Sequence, residues 1–159
     1  MTSKAQASNT YRPLIKKWST HYGVDWKLVQ AVLLTEQYGY NAVVSLDSPL
    51  NPSAINPADP SYGLGQILCQ GATGDQHCQN RFDIERWNEA TPNLLLDPDF
   101  NLQIMVQILS SNQRAYGMPK AVAVYNSYSQ HTRPVYGPFD NQAYVDSVMN
   151  YFSLLGGVA

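Results

Sequence analysis

This sequence is poor in charge and in sulfur and has no long apolar run, and each shortage excludes something. Charged residues make up 14% of the 159 residues, and the formal net charge is −2. Nucleic-acid binding needs a basic stripe or patch, and none is present, so nucleic acid is excluded as a partner. No apolar stretch approaches the length of a membrane span, and no cationic amphipathic segment suits a bilayer surface, so a membrane is excluded too. There are two cysteines, Cys69 and Cys78, around a polar loop of eight residues. A disulfide and two free thiols fit that spacing equally. With His77 they match no zinc pattern, so no metal and no organic cofactor is expected. A secretory leader is not legible either, because Met1 to Thr10 is polar and no apolar segment follows Lys4.

What is present reads as one globular domain. Hydrophobic residues reach 44%, and the length suffices to bury a real core. Tyrosine is abundant, with 11 Tyr and 3 Trp against 4 Phe. Such rings combine a flat apolar face with a polar tip. They are routine at half-buried positions, and they also suit a groove that stacks on sugar rings.

Periodicity and punctuation predict a mostly α chain. Residues 1–10 read as a flexible tail, and residues 11–159 as the domain. Tyr11 to Tyr22 reads as a helix stopped by Gly23, and Asp25 caps a second through about Gln37. Leu28, Val29, Val32 and Leu33 form the apolar stripe of that second helix. Tyr38 to Tyr62 is a long loop rich in Asn, Pro, Ser and Asp, and loops of that length in a compact domain are usually functional or mobile. Gly63 to Gln70 reads as a short helix and Arg81 to Ala90 as a weak one. Asp97-Pro98 opens a long helix ended by Gly117. Pro119 opens a short one to Val124 or Asn126, and Asp140 caps the last, which Gly156-Gly157 stops.

Glu36 does not fit this pattern. At 100° per residue it falls on the face of Val29, Val32 and Leu33. A carboxylate on a core stripe is costly unless paired or functional. Burial would raise its pKa and keep it protonated near neutrality, as a general acid for glycoside cleavage requires. Periodicity alone favours a plainer account, a helix-end Glu that curls out to solvent.

The residues that follow add a family pattern. Asn51 to Ile67, NPSAINPADPSYGLGQI, resembles the signature of soluble lytic transglycosylases, which runs Glu-Ser, then Asn-Pro-x-Ala-x-Ser-Pro, then Gly-Leu-Met-Gln. GVDWKLVQAVLLTE, ending at Glu36, resembles the segment before that family's catalytic Glu. LLLDPDFNLQIMVQIL, AVAVYNSY and AYVDSVMNY resemble its later segments in the correct order. The resemblance covers about residues 12 to 152. It implies a lysozyme-like fold and cleavage of peptidoglycan glycan strands between N-acetylmuramic acid and N-acetylglucosamine. Glu36 would protonate the glycosidic oxygen and then, as carboxylate, deprotonate the muramic C6 hydroxyl that closes a 1,6-anhydro ring. Gln66, Tyr125, Asn126 and Asn56 would contact the sugars. Gly63 and Leu64 would let backbone approach the substrate, and Tyr144 would orient Glu36 or the sugar.

Three positions depart from the family pattern. Gln37 replaces the Ser after the Glu, Gly65 replaces Met and is expected to remove an apolar wall, and Asn56 replaces the Ser before proline. Asn51 lies fifteen residues after Glu36, so Tyr38 to Leu50 is an insertion. Two other readings stand beside the transglycosylase. A goose-type-like hydrolytic lysozyme would need a second carboxylate such as Asp47 or Asp59. A non-catalytic, peptidoglycan-binding virion module would keep the fold without turnover. With no legible leader, the expected setting is a phage virion or the host cytoplasm, acting on the periplasmic or extracellular wall, with other virion proteins as partners.

Overall fold

Two helices set the frame because their middle stretches are buried on every face. The computed structural model describes residues 5–158. The order is β1 (Gln6–Ala7), α1 (Arg12–Tyr22), α2 (Trp26–Tyr38), β2 (Pro49–Leu50), β3 (Ile55–Asn56), β4 (Ser61–Tyr62), β5 (Ile67–Leu68), α3 (Pro98–Tyr116), α4 (Lys120–Asn126) and α5 (Gln142–Leu154), with short 3-10 turns between. In α2 every residue from Leu28 to Thr35 is buried, and in α3 every residue from Phe100 to Ser110. The expected stripe is therefore only part of a fully enclosed helix. The other helices pack around these two: α1 on both, α5 on α2 and α4 on α3. Each fully buried aliphatic side chain in such a core contributes about 1.5–3 kcal/mol.

The predicted stops and starts fall where local chemistry puts them. Gly23 ends α1 in the left-handed region at φ 72°, where a Cβ would be strained. The Asp25 carboxylate accepts from the Lys27 amide at 3.0 Å to open α2. Asp97 does the same for Asp99 at 2.9 Å to open α3, with Pro98 in the first turn.

Four expectations need correction. Part of the expected tail is ordered: Gln6–Ala7 pair antiparallel with Pro49–Leu50, and Ser8 is fully buried. Residues 1–4 lie outside the described residues. Gly63 to Gln70 is not helical. Gly63 at φ 76° and Gln66 at φ 51° both take left-handed backbone, which breaks a helix, and Ile67–Leu68 then join the sheet. Between Arg81 and Ala90 only Trp87–Glu89 makes a single 3-10 turn, because Arg86 turns to φ 66°. Asp140 does not cap α5. Its carboxylate is held by Arg133 at 2.6 Å, and Asn141 takes the cap position with no side-chain bond to the amides of the helix.

The long segment after α2 is folded as small antiparallel pieces. β3, β4 and β5 form a three-stranded sheet in which Asn56 faces Ser61 and Tyr62 faces Ile67. Strands of two residues carry little intrinsic stability. Side chains from the helices and a disulfide between Cys69 and Cys78 hold this layer instead.

Candidate active site

Glu36 lies in the last turn of α2, where the helix leaves the core. A cavity of about 570 Å³ opens beside it. Its walls come from the hairpin at Asp59 and Ser61, the stretch Gln66–Leu68, the segment Arg81–Ile84, one face of α3 and the C-terminal end of α4. The α3 face follows helical spacing, from Ile108 through Asn112 and Ala115 to Tyr116. At 1.5 Å per residue it runs about 12 Å. Polar and apolar groups are mixed along it, as suits a ligand with ring faces and hydroxyls.

The Glu36 carboxyl is held from behind. Tyr144 on α5 donates from its hydroxyl to Glu36 Oε1 at 2.7 Å. Thr35 meets Ser147 at 3.0 Å, which fixes the same two helices beside it. Burial pushes the Glu36 carboxyl up to about 7 from its ordinary 4.5. The Tyr144 hydrogen bond pulls it down and the charge of Asp59 pushes it up, both less strongly than burial. A group near 7 can give a proton and take it back at neutral pH. Burial, with the Glu36 charge adding to it, holds the Tyr144 and Tyr125 phenols well above 10, so both remain donors.

The stretch that faces Glu36 is built on one buried amide. Asn101 of α3, 1% exposed, accepts from the Gly65 amide at 2.8 Å. It donates to the carbonyls of Tyr62 at 2.9 Å and Leu95 at 2.8 Å. The contact leaves no room for a side chain at Gly63, where a Cβ would stand 2.2 Å from the Leu95 oxygen. Tyr125 closes the stretch from the other side, donating to the Gly65 carbonyl at 2.6 Å. The Gln66 amide nitrogen donates to the carbonyls of Ala54 at 3.2 Å and Gly63 at 2.9 Å. With both of those hydrogens engaged, Gln66 can offer a ligand its acceptor oxygen.

Of the residues singled out from sequence, Gln66, Tyr125 and Asn126 share the cavity wall with Glu36. Tyr144 stands behind the carboxyl at 3% exposure and reaches the cavity through it. Gly63 and Leu64 are buried and shape the stretch from beneath. Asn56 lies outside the cavity wall, exposed, with its side chain accepting from the Ala58 amide at 3.2 Å to shape the β3–β4 turn. That turn carries Asp59 into the wall. Sequence reasoning offered Asp59 only as a second carboxylate for the hydrolytic reading and did not single out Asn101 or the Arg81–Ile84 wall. Asn101 had a signal, a polar residue inside the apolar run of α3. Among the described residues, no three His, Cys, Asp or Glu side chains gather as a metal site would require.

The family described as "Transglycosylase SLT domain" matches residues 13–137, most of the chain. The chain belongs to this family. It is 28% identical over 110 residues to "Membrane-bound lytic murein transglycosylase C" of Sodalis glossinidius, covering 69% of this chain and 26% of that protein. The protein of the same name from Pectobacterium atrosepticum is 27% identical over 110 residues, with the same coverage of each chain. The Serratia proteamaculans protein is 28% identical over 109 residues, again with 69% and 26% covered. The match thus spans about a quarter of the length of these relatives. Among the described residues, no helix is long and apolar enough to cross a membrane.

Within this transglycosylase family the mostly α, lysozyme-like architecture is the one observed, and Gln37 is a local departure with a visible consequence. Its amide nitrogen donates to the carbonyls of Leu64 at 3.1 Å and Asn51 at 3.3 Å, and its oxygen accepts from the Asn51 amide at 2.9 Å. A serine in its place has too short a side chain to span these groups. Gln37 therefore ties the far end of the insertion to the stretch beneath the site.

Proposed function

We propose that this chain is a peptidoglycan lytic transglycosylase with Glu36 as its acid and base. The observation that carries the reading is a single carboxyl, pushed up to about 7 by burial, aimed into an elongated cavity and held by Tyr144. Glu36 gives its proton to the glycosidic oxygen as the bond to muramic C1 breaks. The resulting carboxylate takes the proton of the muramic C6 hydroxyl as that oxygen bonds to C1. The glutamic acid is regenerated, no water is consumed, and the new end is a 1,6-anhydro sugar. Tyr144 stays a donor throughout and steadies the carboxylate between the two transfers. Gln66 accepts from a sugar hydroxyl or amide, and Tyr125 and Asn126 line the neighbouring subsite. The names of the relatives support the substrate, murein.

One observation favours a second reading. Asp59 lines the same cavity and its charge acts on Glu36. A carboxylate so placed could activate water and make the chain a hydrolase. Digestion of purified sacculi with wild type and Glu36→Gln, read by mass spectrometry, separates the readings. Anhydromuramic ends from wild type alone are the expected result. Reducing ends would replace the transglycosylase with a hydrolase that uses Asp59, and bound but uncut sacculi would leave a wall-binding module.

A further inference from the structure

Arg81 is the only Lys, Arg or His in the cavity wall among the described residues. It joins none of the ion pairs of the described residues. Arg86 and Arg133 show the contrast, since each is held by a carboxylate, Glu89 at 2.9 Å and Asp140 at 2.6 Å. The Arg81 guanidinium instead rests over the Phe82 ring, 5.3 Å from its centre. An unpaired cation facing a cavity is a ready partner for an anion.

The segment that carries it is built to stay in place. The Cys69–Cys78 disulfide closes the loop before it, and the Gln79 amide donates to the Gln70 carbonyl at 3.2 Å. The Trp87 indole donates to the Gln79 carbonyl at 3.1 Å, and Phe82 packs edge-on to Trp87 with centroids 4.9 Å apart. Beyond Arg81, Gln107 of α3 takes both backbone groups of Glu85, the amide at 2.8 Å and the carbonyl at 3.1 Å. The wall is thus anchored to the disulfide loop on one side and to the core helix on the other.

We propose that Arg81 forms a subsite for a carboxylate of the peptide stem that hangs from the muramic residue. The proposal rests on the transglycosylase reading for the cavity's ligand and deepens it. Where a stem is attached, the lactyl carboxyl of the muramic residue is taken up in the amide bond and both sugars are uncharged, so an arginine gains little from them beyond hydrogen bonds. The carboxylates of the intact polymer are on its peptide stems. Asp83 stands in the same wall. It disfavours a bare anion and suits a stem residue that carries an amine as well as a carboxylate. Arg81 therefore selects for glycan whose stems keep their carboxylates.

The test compares glycan strands whose stems keep their free carboxylates with the same strands after those carboxylates are converted to amides, using wild type, Arg81→Ala and Arg81→Lys. Wild type favours strands with free stem carboxylates in kcat/KM through a lower KM. Arg81→Ala lowers that preference on the order of fivefold, the size of a solvated charge pair, and Arg81→Lys restores part of it. The preference of wild type also falls with added salt. Binding of a muramyl peptide and of the same peptide with its carboxylates amidated to Glu36→Gln, with and without Arg81→Ala, reads the subsite without turnover. The proposal is overturned if Arg81→Ala leaves both the kinetic preference and the binding difference as in the parent. If wild type cuts neither strand while Arg81→Ala still weakens the muramyl peptide alone, the subsite stands and the transglycosylase reading falls.

Discussion

Replacing Glu36 by glutamine removes the proton that the proposed mechanism uses and, in the same step, a stored electrostatic cost. The carboxyl titrates at about 7 in the fold against an ordinary 4.5, and burial is the main cause. A carboxyl whose pKa is raised by folding binds its proton more tightly in the native state. Its contribution to stability is complete below pH 4.5 and is lost as pH rises through about 7. The gap corresponds to about 3 kcal/mol at alkaline pH. Glu36 is part-exposed toward the cavity, so its charged form keeps some solvent and this figure is an upper bound. The substituted amide does not titrate, and its carbonyl oxygen can still accept from Tyr144. At about pH 9 Glu36→Gln is therefore expected to be more stable than wild type by up to about 3 kcal/mol, a Tm gain of up to about 6–12 °C for a domain of this size. At about pH 4 the gain should vanish. Thermal unfolding of both proteins across that range, beside the sacculus digest, measures it. A Tm difference that does not change with pH would refute the argument that Glu36 is held in a desolvated site, even if the variant were inactive.

Three further outcomes follow from contacts around the site. Tyr144→Phe removes the hydrogen bond that lowers the Glu36 pKa, so the alkaline limb of the kcat/KM profile should move to higher pH as the maximum falls; an unmoved limb would detach Tyr144 from Glu36. Asn101→Ala leaves the Gly65 amide and two carbonyls without their partner and should cost about 3 kcal/mol or more in urea unfolding; a loss under about 1 kcal/mol would mean that water replaces it. Gly65→Ala puts a Cβ 2.9 Å from both Met105 Sδ and Tyr125 Oη and should cost about 1–3 kcal/mol, less in a Met105→Ala background; additive losses would remove Met105 from the explanation.

The helices were legible where the sequence carries its own punctuation. Asp25, Gly23, Asp97-Pro98 and Gly117 act within a turn of themselves, and the Asp25 and Asp97 carboxylates stay on the amides of their own helices. The short strands were not legible, because two residues have no period to read and their pairing is fixed by tertiary contacts. Asp140 misled for a related reason: an N-cap residue has its usual effect only if its side chain is free, and Arg133 holds this one. Glu36 stood out as a charge on a core face, which is a local signal. The Arg81–Ile84 wall gave none, since its place depends on a disulfide and on Gln107, far along the chain.

Gly65 shows how a departure from a family pattern can be made good in space. Read along the chain, a glycine in place of methionine removes an apolar wall beside Glu36. In the fold that space is filled, because the Met105 thioether from α3 and the Tyr125 hydroxyl from α4 both come within 2.9 Å of where a Cβ would stand. The missing side chain is what lets the Tyr125 hydroxyl reach the Gly65 carbonyl. A methionine side chain at this position would displace both the thioether and that hydrogen bond. Volume near the cavity is therefore kept while its source moves from the stretch beneath it to the helix behind that stretch. This couples Gly65, Met105 and Tyr125 into a unit in which the glycine is a requirement of the packing, not a defect in the motif.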